Sequence, residues 1–274
     1  NFKEIRLEVM MMKNRLREKL TNKQPIMATR INSTWPMIAE VVGATGLYDY
    51  VEFLGEYAPY SQVDLENIAR ACELHDMSCI IKVDYANRAY VAQKALASGF
   101  QGILFTDHTT AKEVEDTLKN VIPATPQLQG RLGFVNRRFY KNEHFANQMT
   151  YASEVTKCVM GFMIEKVDAV KNIEEICQVP GVDFIQFGPA DFSMNSGFNA
   201  KEEVEKVREA EEKVIRTALK YGVSPRVELN SSDEAERYIK MGVTHFALGS
   251  ELRIERVYWT EQGNDLLEQL GQQK

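Results

Sequence analysis

Short apolar stretches alternate with longer amphipathic segments along most of the chain, and this pattern predicts eight strands, each followed by a helix. The stretch at residues 79–83 is almost continuously apolar, as a parallel strand covered on both faces requires. The predicted strands cover residues 25–31, 50–54, 78–83, 102–105, 158–164, 182–187, 223–229 and 244–248. The predicted helices cover residues 36–45, 62–76, 88–98, 110–120, 166–178, 201–221, 231–241 and 251–270.

Eight strand–helix units in succession predict an α/β protein with the (β/α)8 TIM-barrel fold. No linker, low-complexity tract or repeat larger than one unit interrupts the chain, so we expect a single domain over residues 1–274. An additional helix within residues 1–20 is expected to close the base of the barrel. A long irregular segment at residues 121–157 separates the fourth and fifth strands, which is typical of a lid or an interface element.

The charge balance argues against nucleic acid as a partner. The chain has 33 Lys and Arg against 39 Asp and Glu, a net charge of −6, whereas binding to phosphates needs clustered positive charge. No stretch approaches the roughly 18 apolar residues of a membrane span, and the first residues lack the apolar block of a secretory signal. The four cysteines show no metal-binding spacing, so we expect free, buried thiols in a reducing, cytoplasmic setting.

Barrels of this type carry their active sites at the carboxyl-terminal ends of the strands, so the polar residues at those ends are candidates for chemistry. They are Arg30, Asn32, Glu56, Tyr57, Lys82, Asp84, Thr106, Asp107, His108, Glu165, Asp191, Arg226 and Glu228. His108 is the one histidine among them and is a candidate acid or base. Arg30 is a candidate contact for an anionic substrate.

Glu165 and Asp191 follow neighbouring predicted strands and form a natural carboxylate pair for a hard divalent cation such as Mg²⁺ or Mn²⁺. No pair of histidines accompanies them, which makes zinc the less suitable metal. On barrel geometry alone, a solvated acid pair that forms surface salt bridges is the alternative.

The segment around these carboxylates resembles the HpcH/HpaI aldolase family. Gly161-Phe-Met-Ile-Glu165 is followed by Gly188-Pro-Ala-Asp-Phe-Ser193, where the family carries V-x-I-E and then GPADLS. Gly55-Glu-Tyr-Ala-Pro59, after the second strand, is similar to the family's G-E-H-A-P. The resemblance extends over most of the chain and implies a metal-dependent carbon–carbon lyase, a class II aldolase.

By this resemblance Glu165 and Asp191 are the metal ligands, with Mg²⁺ or Mn²⁺, or else Co²⁺, as the cofactor. The metal would bind a pyruvate-like 2-oxo acid and stabilise its enolate, which joins to or separates from an aldehyde or ketone acceptor. The block from Gly188 through Pro189 and Ala190 to Asp191 would receive the substrate carboxylate.

The resemblance also implies an assembly of several copies. The C-terminal helix at residues 251–274 is amphipathic, and in this family it packs against or exchanges with a neighbouring subunit. We therefore expect a homo-oligomer, a trimer or a hexamer, with this helix at the interface.

Three positions of the family's catalytic pattern carry other residues in this chain. Tyr57 stands where the family has its histidine, Leu54 where it has the orienting aspartate, and Lys82 where it has an arginine. Lysine keeps the positive charge but lacks the planar fork of arginine. We take Tyr57 and Lys82 as candidate catalytic residues, with Lys82 also contacting the substrate.

These replacements leave three alternatives open. The enzyme uses another base, which is Tyr57, His108 or a metal-bound water. It catalyses a different enolate condensation or a decarboxylation at the same metal. Or it is an inactive barrel that binds an oxo acid.

Overall fold

Eight parallel strands close into a barrel in the computed structural model, which describes residues 13–135, 138 and 147–272. Each strand pairs with the next along the chain, and the last pairs with the first. The predicted (β/α)8 fold is therefore confirmed. The strands are β1 (Ile26–Ile31), β2 (Tyr50–Phe53), β3 (Ser78–Val83), β4 (Gly102–Phe105), β5 (Val159–Ile164), β6 (Phe184–Phe187), β7 (Ser224–Leu229) and β8 (His245–Ser250).

Helices surround the barrel and connect its strands. Those of the described residues are α1 (Arg15–Thr21), α2 (Met37–Ala44), α3 (Gln62–Glu73), α4 (Arg88–Ser98), α5 (Ala111–Leu118), α6 (Gln148–Val155), α7 (Val167–Lys171), α8 (Ile173–Cys177), α9 (Pro189–Ser196), α10 (Val204–Tyr221), α11 (Ala235–Met241) and α12 (Glu251–Gln269). A 3₁₀ turn at Ser232–Glu234 precedes α11. None of the described helices is long and apolar enough to cross a lipid bilayer.

The helix α1 closes the base of the barrel. Its Leu16 is fully buried and packs among the interior residues Ile26, Tyr50 and Val159 near the starts of their strands. The Arg17 guanidinium donates two hydrogen bonds of 2.6 Å to the carboxylate of Asp183, at the start of β6. A helix therefore lies at the base of the barrel from Arg15 onward, where the sequence predicted a closing helix, and residues 1–12 lie outside the described residues.

The middle of the barrel interior is polar. Glu52 on β2 and Arg226 on β7 form an ion pair across the barrel, and both side chains are fully buried. Arg226 also donates to the amide oxygen of Gln186 on β6 at 2.5 Å, and the amide nitrogen of Gln186 donates to Glu228 at 2.7 Å. A chain of bonded polar groups therefore runs from the centre of the barrel toward its mouth.

The larger apolar core lies between the strands and the helices. It includes Phe53, Phe105 and Phe162 from the outward faces of their strands, and Leu65 and Ile68 from α3. The four cysteines are free and buried, as expected for a chain without disulfides.

Three stretches differ from their predicted elements. The segment predicted to be irregular at residues 121–157 contains the helix α6 (Gln148–Val155), and its residues 136, 137 and 139–146 lie outside the described residues. The helix predicted at residues 166–178 is divided into α7 and α8 at Asn172, whose side-chain amide donates to the Thr109 carbonyl at 2.9 Å. The block at residues 189–196 forms the unpredicted helix α9, with Pro189 at its first turn. This helix follows β6 directly and therefore places Asp191 beside the barrel mouth.

Candidate active site

Glu165 directly follows β5 and is almost completely buried, with 2% of its surface exposed. One of its carboxylate oxygens accepts a hydrogen bond of 3.0 Å from the backbone N–H of Asp107. Burial raises the pKa of Glu165 to about 7, although this N–H and the charge of Lys82 act in the opposite direction. Two lysines near it, Lys82 and Lys166, form ion pairs with other carboxylates.

Gly188 has no side chain, and this leaves room for the Glu165 carboxylate. A Cβ atom added at Gly188 would lie 2.8 Å from the Glu165 Cβ and 2.9 Å from its Oε2, closer than real contacts allow. The glycine of the Gly188–Asp191 block is therefore needed for close approach of the two strand ends.

Asp107 and Lys166 surround the candidate metal ligands. The Lys166 ammonium lies 2.6 Å from a carboxylate oxygen of Asp107 and 3.8 Å from one of Asp191. Burial lowers the pKa of Lys166, but the hydrogen bond with Asp107 and the neighbouring carboxylates raise it above its ordinary value. Lys166 is therefore a fixed cation between two carboxylates at the rim of the site.

Lys82, Tyr57 and Glu56 form a second cluster at the mouth. The Lys82 ammonium lies 2.6 Å from a Glu56 carboxylate oxygen and donates to the Tyr57 hydroxyl at 2.5 Å. Tyr57 is 60% exposed, but its partial burial raises the pKa of its hydroxyl to about 12, so the hydroxyl keeps its proton at neutral pH. Burial lowers the pKa of Lys82, but Tyr57 and Glu56 more than reverse this effect. Lys82 is therefore suited to neutralise negative charge on a substrate and unsuited to act as a free amine nucleophile.

Arg30 occupies the mouth on the side of β1, β7 and β8. It forms an ion pair with Glu228, and its Nε donates to the Gly249 carbonyl at 3.2 Å. With Pro189 and Arg226 it lines a cavity of about 160 Å³ that extends to Glu211 and Val214 of α10, between the barrel and this helix. The predicted binding residues Arg30 and Pro189 therefore share one cavity, and Glu228 neutralises part of the arginine charge.

The backbone at the start of α9 limits which residues of the Gly188–Asp191 block can bind a substrate carboxylate. The Gly188 N–H already donates to the Ile164 carbonyl at 3.1 Å, and Pro189 has no N–H to offer. The first bond of the helix runs from the Phe192 N–H to the Gly188 carbonyl. Helix geometry leaves the N–H groups of Ala190 and Asp191 without partners inside the helix, as anion-binding helix starts require.

The structure does not bring His108 to the mouth. Its ring is fully buried between barrel and helices, with ring centroids 6.2 Å from Phe105 and 5.1 Å from Phe162. Its Nε2 is 2.7 Å from the Thr117 hydroxyl of α5. Burial lowers the pKa of His108 to about 4 and keeps the ring neutral. This placement argues against the expected catalytic role and gives His108 a structural one.

The residues present fit a divalent cation bound by two carboxylates. Glu165 is a buried carboxylate whose pKa burial raises, so a cation would stabilise its charged form, and Asp191 adds a second oxygen donor. Among the described residues, no group of three His, Cys, Asp or Glu side chains is placed to hold a metal. The protein would therefore supply two carboxylates and leave the other positions to substrate and water, as Mg²⁺ sites commonly do.

The sequence predicted most of these residues at the mouth but did not single out Lys166, which lies beside Asp107 and Asp191. Its position directly after Glu165 was the available signal, because the loops that follow the strands form the mouth of such a barrel. The sequence marked Glu56 only as one of many polar residues at strand ends, although its carboxylate forms an ion pair with Lys82.

These features define a class of protein: a (β/α)8-barrel enzyme with a candidate divalent-metal site at the carboxyl-terminal mouth. The model of the HpcH/HpaI aldolase/citrate lyase family matches residues 31–255. The chain belongs to this family, which confirms the resemblance found in the sequence. Named relatives are aldolases, so the chain is an enzyme of the carbon–carbon lyase class, and aldolases of this family generally depend on a divalent metal.

Individual relatives are distant in sequence. The hydroxypyruvate/pyruvate aldolase of Cupriavidus necator is 23% identical over 243 residues, which cover 88% of each chain. The 2-keto-3-deoxy-L-rhamnonate aldolase of an Escherichia coli strain is 26% identical over 86% of each chain. The crystal structure of an HpcH/HpaI aldolase from Desulfitobacterium hafniense superposes with a TM-score of 0.80, at 24% identity, over 92% of this chain and 96% of the other.

Proposed function

We propose that the protein is a divalent-metal-dependent lyase that makes or breaks a carbon–carbon bond at the carbon next to the keto group of a pyruvate-like 2-oxo acid. The observation that carries the proposal is the buried carboxylate of Glu165, held by the Asp107 N–H next to Gly188 and Asp191. Family membership and the names of the relatives support the same class of reaction.

Glu165 and Asp191 would hold the cation, which we propose to be Mg²⁺ or Mn²⁺, with Co²⁺ as a further possibility. When bound, such a cation acts as a Lewis acid on the oxygens of the 2-oxo acid.

The chain's own residues would bind the substrate and handle its charge. The N–H groups of Ala190 and Asp191, at the start of α9, would receive the substrate carboxylate. Lys82 would neutralise negative charge that develops on the keto oxygen, and Glu56 holds its ammonium in place. The Tyr57 hydroxyl, which keeps its proton at neutral pH, would donate a hydrogen bond to an oxygen of the acceptor.

The acceptor is an aldehyde or a ketone in this proposal. A second candidate is a different condensation of the same enolate, or a decarboxylation that forms this enolate by releasing CO2 from the carbon next to the keto group. The observation that favours it is the Lys82–Tyr57 hydrogen bond, because two proton-bearing donors occupy positions where the family has an arginine and a histidine.

The test combines metal binding with proton exchange. We expect Mn²⁺ to bind the wild-type chain in calorimetric titration and to support exchange of pyruvate methyl protons in deuterated water. Glu165→Gln and Asp191→Asn should each abolish both signals, whereas Glu236→Gln, at an exposed carboxylate of α11, should change neither. Absence of exchange with Mg²⁺, Mn²⁺ and Co²⁺ alike would contradict the proposed reaction.

A further inference from the structure

Asp107 connects the candidate metal ligands through two different groups. Its backbone N–H donates to Glu165 at 3.0 Å, and its carboxylate lies 2.6 Å from the Lys166 ammonium. The same ammonium is 3.8 Å from Asp191, too long for a hydrogen bond but close enough for a strong charge interaction. One residue therefore fixes both a candidate ligand and the cation beside the other ligand.

The backbone at Asp107 is specialised for this double contact. Its φ is 62°, in the left-handed region that residues other than glycine rarely adopt, although aspartate and asparagine tolerate it. Such conformations persist where surrounding contacts hold them. The neighbouring His108 ring, packed against Phe105 and Phe162, supplies such an anchor on the side away from the mouth.

The formal charges of the cluster explain what Lys166 does there. Glu165, Asp191 and Asp107 contribute three negative charges and Lys166 one positive charge, which leaves −2 to match a divalent cation. Removing the ammonium would leave −3, and removing the Asp107 charge would leave −1 with Lys166 free to move toward Asp191. Each change alters the electrostatic attraction for a cation in a predictable direction.

We propose that Lys166 is a tethered cation that limits the affinity of the site for its divalent metal, and that Asp107 is the positioning residue that holds Lys166 away from Asp191. This inference rests on the proposed function, because it takes Glu165 and Asp191 as the ligands. Neither residue needs to touch the metal, since both act through the charge and position of the ligands.

The experiment is a calorimetric titration with Mn²⁺ alone, without any oxo acid. We expect Asp107→Asn to weaken the affinity about tenfold and Lys166→Met to strengthen it about tenfold, within the range of outer-contact effects at metal sites. The double variant Asp107→Asn/Lys166→Met restores the formal charge of −2 and should return to within about threefold of wild type. Lys166→Arg, which keeps the charge, is the matched control and should stay close to wild type.

Asparagine tolerates the left-handed backbone, so Asp107→Asn should retain the wild-type melting temperature.

A double variant that binds Mn²⁺ as weakly as Asp107→Asn would show that Asp107 acts only through loop structure and would overturn the tether. The tether would also be overturned if both single variants bound Mn²⁺ within twofold of the wild-type affinity. If Glu165→Gln still lost Mn²⁺ binding in that case, the proposed function would stand. A wild-type chain that binds no Mn²⁺ would overturn the proposed function and this inference together. Unchanged Mn²⁺ affinity with a raised KM for the oxo acid in Lys166→Met would instead make Lys166 a substrate contact.

Discussion

Tyr57 and Lys82 occupy positions at which the family pattern has a histidine and an arginine, and the structure joins them by a hydrogen bond of 2.5 Å. A histidine exchanges protons near neutral pH, whereas burial raises the pKa of Tyr57 to about 12. The tyrosine therefore donates a hydrogen bond at neutral pH and does not accept a proton. The base that removes a substrate proton must then be another group.

Replacement of Tyr57 by phenylalanine tests this donor role. Tyr57→Phe removes the hydroxyl and keeps the ring, so we expect turnover on the native acceptor to fall about 10-fold or more, with unchanged Mn²⁺ affinity. Because Tyr57 stays protonated up to a pKa of about 12, its contribution should stay constant between pH 7 and 9. The control is Tyr90→Phe, at an equally exposed tyrosine on α4. Undiminished turnover of Tyr57→Phe would make Tyr57 a packing residue.

The site could be predicted where a strand end and a motif coincide. Glu165 and Asp191 follow β5 and β6 within a specific block, and Lys82 lies at the apolar end of β3, so their shared location was predictable. His108 was misplaced because the positive φ of Asp107 ends the alternation of faces along β4, which no sequence signal reveals. The contact of Lys166 with Asp107 depends on the same backbone conformation.

At the scale of elements, the connection between β4 and α5 is held by a capping box and by His108. The Thr110 side chain accepts from the Glu113 N–H, and the Glu113 carboxylate accepts from the Thr110 N–H. His108 adds its contact with Thr117, further along α5. The connection that carries Asp107 is therefore anchored from both of its sides.

Low pH should weaken the contacts through which His108 holds the connection between β4 and α5. The pKa of His108 is lowered to about 4 by burial, against about 6.5 when exposed, so the unfolded chain binds the proton more readily than the folded chain. The contribution of His108 to the free energy of unfolding is therefore complete above pH 6.5 and falls as the pH decreases to 4, by at most about 3 kcal/mol. Urea unfolding of wild type and His108→Gln at pH 7.5 and 5 measures it. We expect the variant to lose less stability between the two pH values, and equal losses would contradict the buried neutral ring.

The bounds of most elements were predictable because each apolar run has one period and clear end signals. Gly222 and Gly242 end α10 and α11 in the left-handed conformation, as expected for glycines at helix ends. The division of the helix at Asn172 was not predictable, because it depends on a bond to the distant Thr109 carbonyl. The helix α9 was missed because its apolar pattern is weak, although Pro189 and Gly197 mark its two ends.

At the scale of the whole molecule, the ion pair inside the barrel is the feature that could not be predicted from the sequence. Glu52 and Arg226 belong to different strand–helix units, and only the closed ring brings them together. A buried charge without its partner is strongly unfavourable, so the two residues depend on each other. The polar chain through Gln186 to Glu228 and Arg30 then links the centre of the fold to the mouth.

The outer surface of the molecule supports the proposed assembly of several copies. The 19-residue helix α12 has no buried residue, and its large apolar side chains are largely exposed, including Leu252, Ile254, Trp259 and Leu266. Exposed apolar area of this extent is typical of a protein interface. We propose that a second copy of the chain covers it, in the trimer or hexamer that the family resemblance implies.

Sedimentation velocity tests this assembly. We expect the wild-type chain to sediment well above the 31.3 kDa of one copy, as a trimer or hexamer. Trp259→Glu places a charge on the exposed apolar face of α12 and should shift the protein toward the monomer, because an unpaired charge in an apolar interface is unfavourable. Val63→Glu on α3, at a similarly exposed apolar residue, is the matched control and should leave the mass unchanged. A wild-type chain that sediments as a monomer at micromolar concentration would contradict the interface, and an unchanged Trp259→Glu oligomer would place it on another surface.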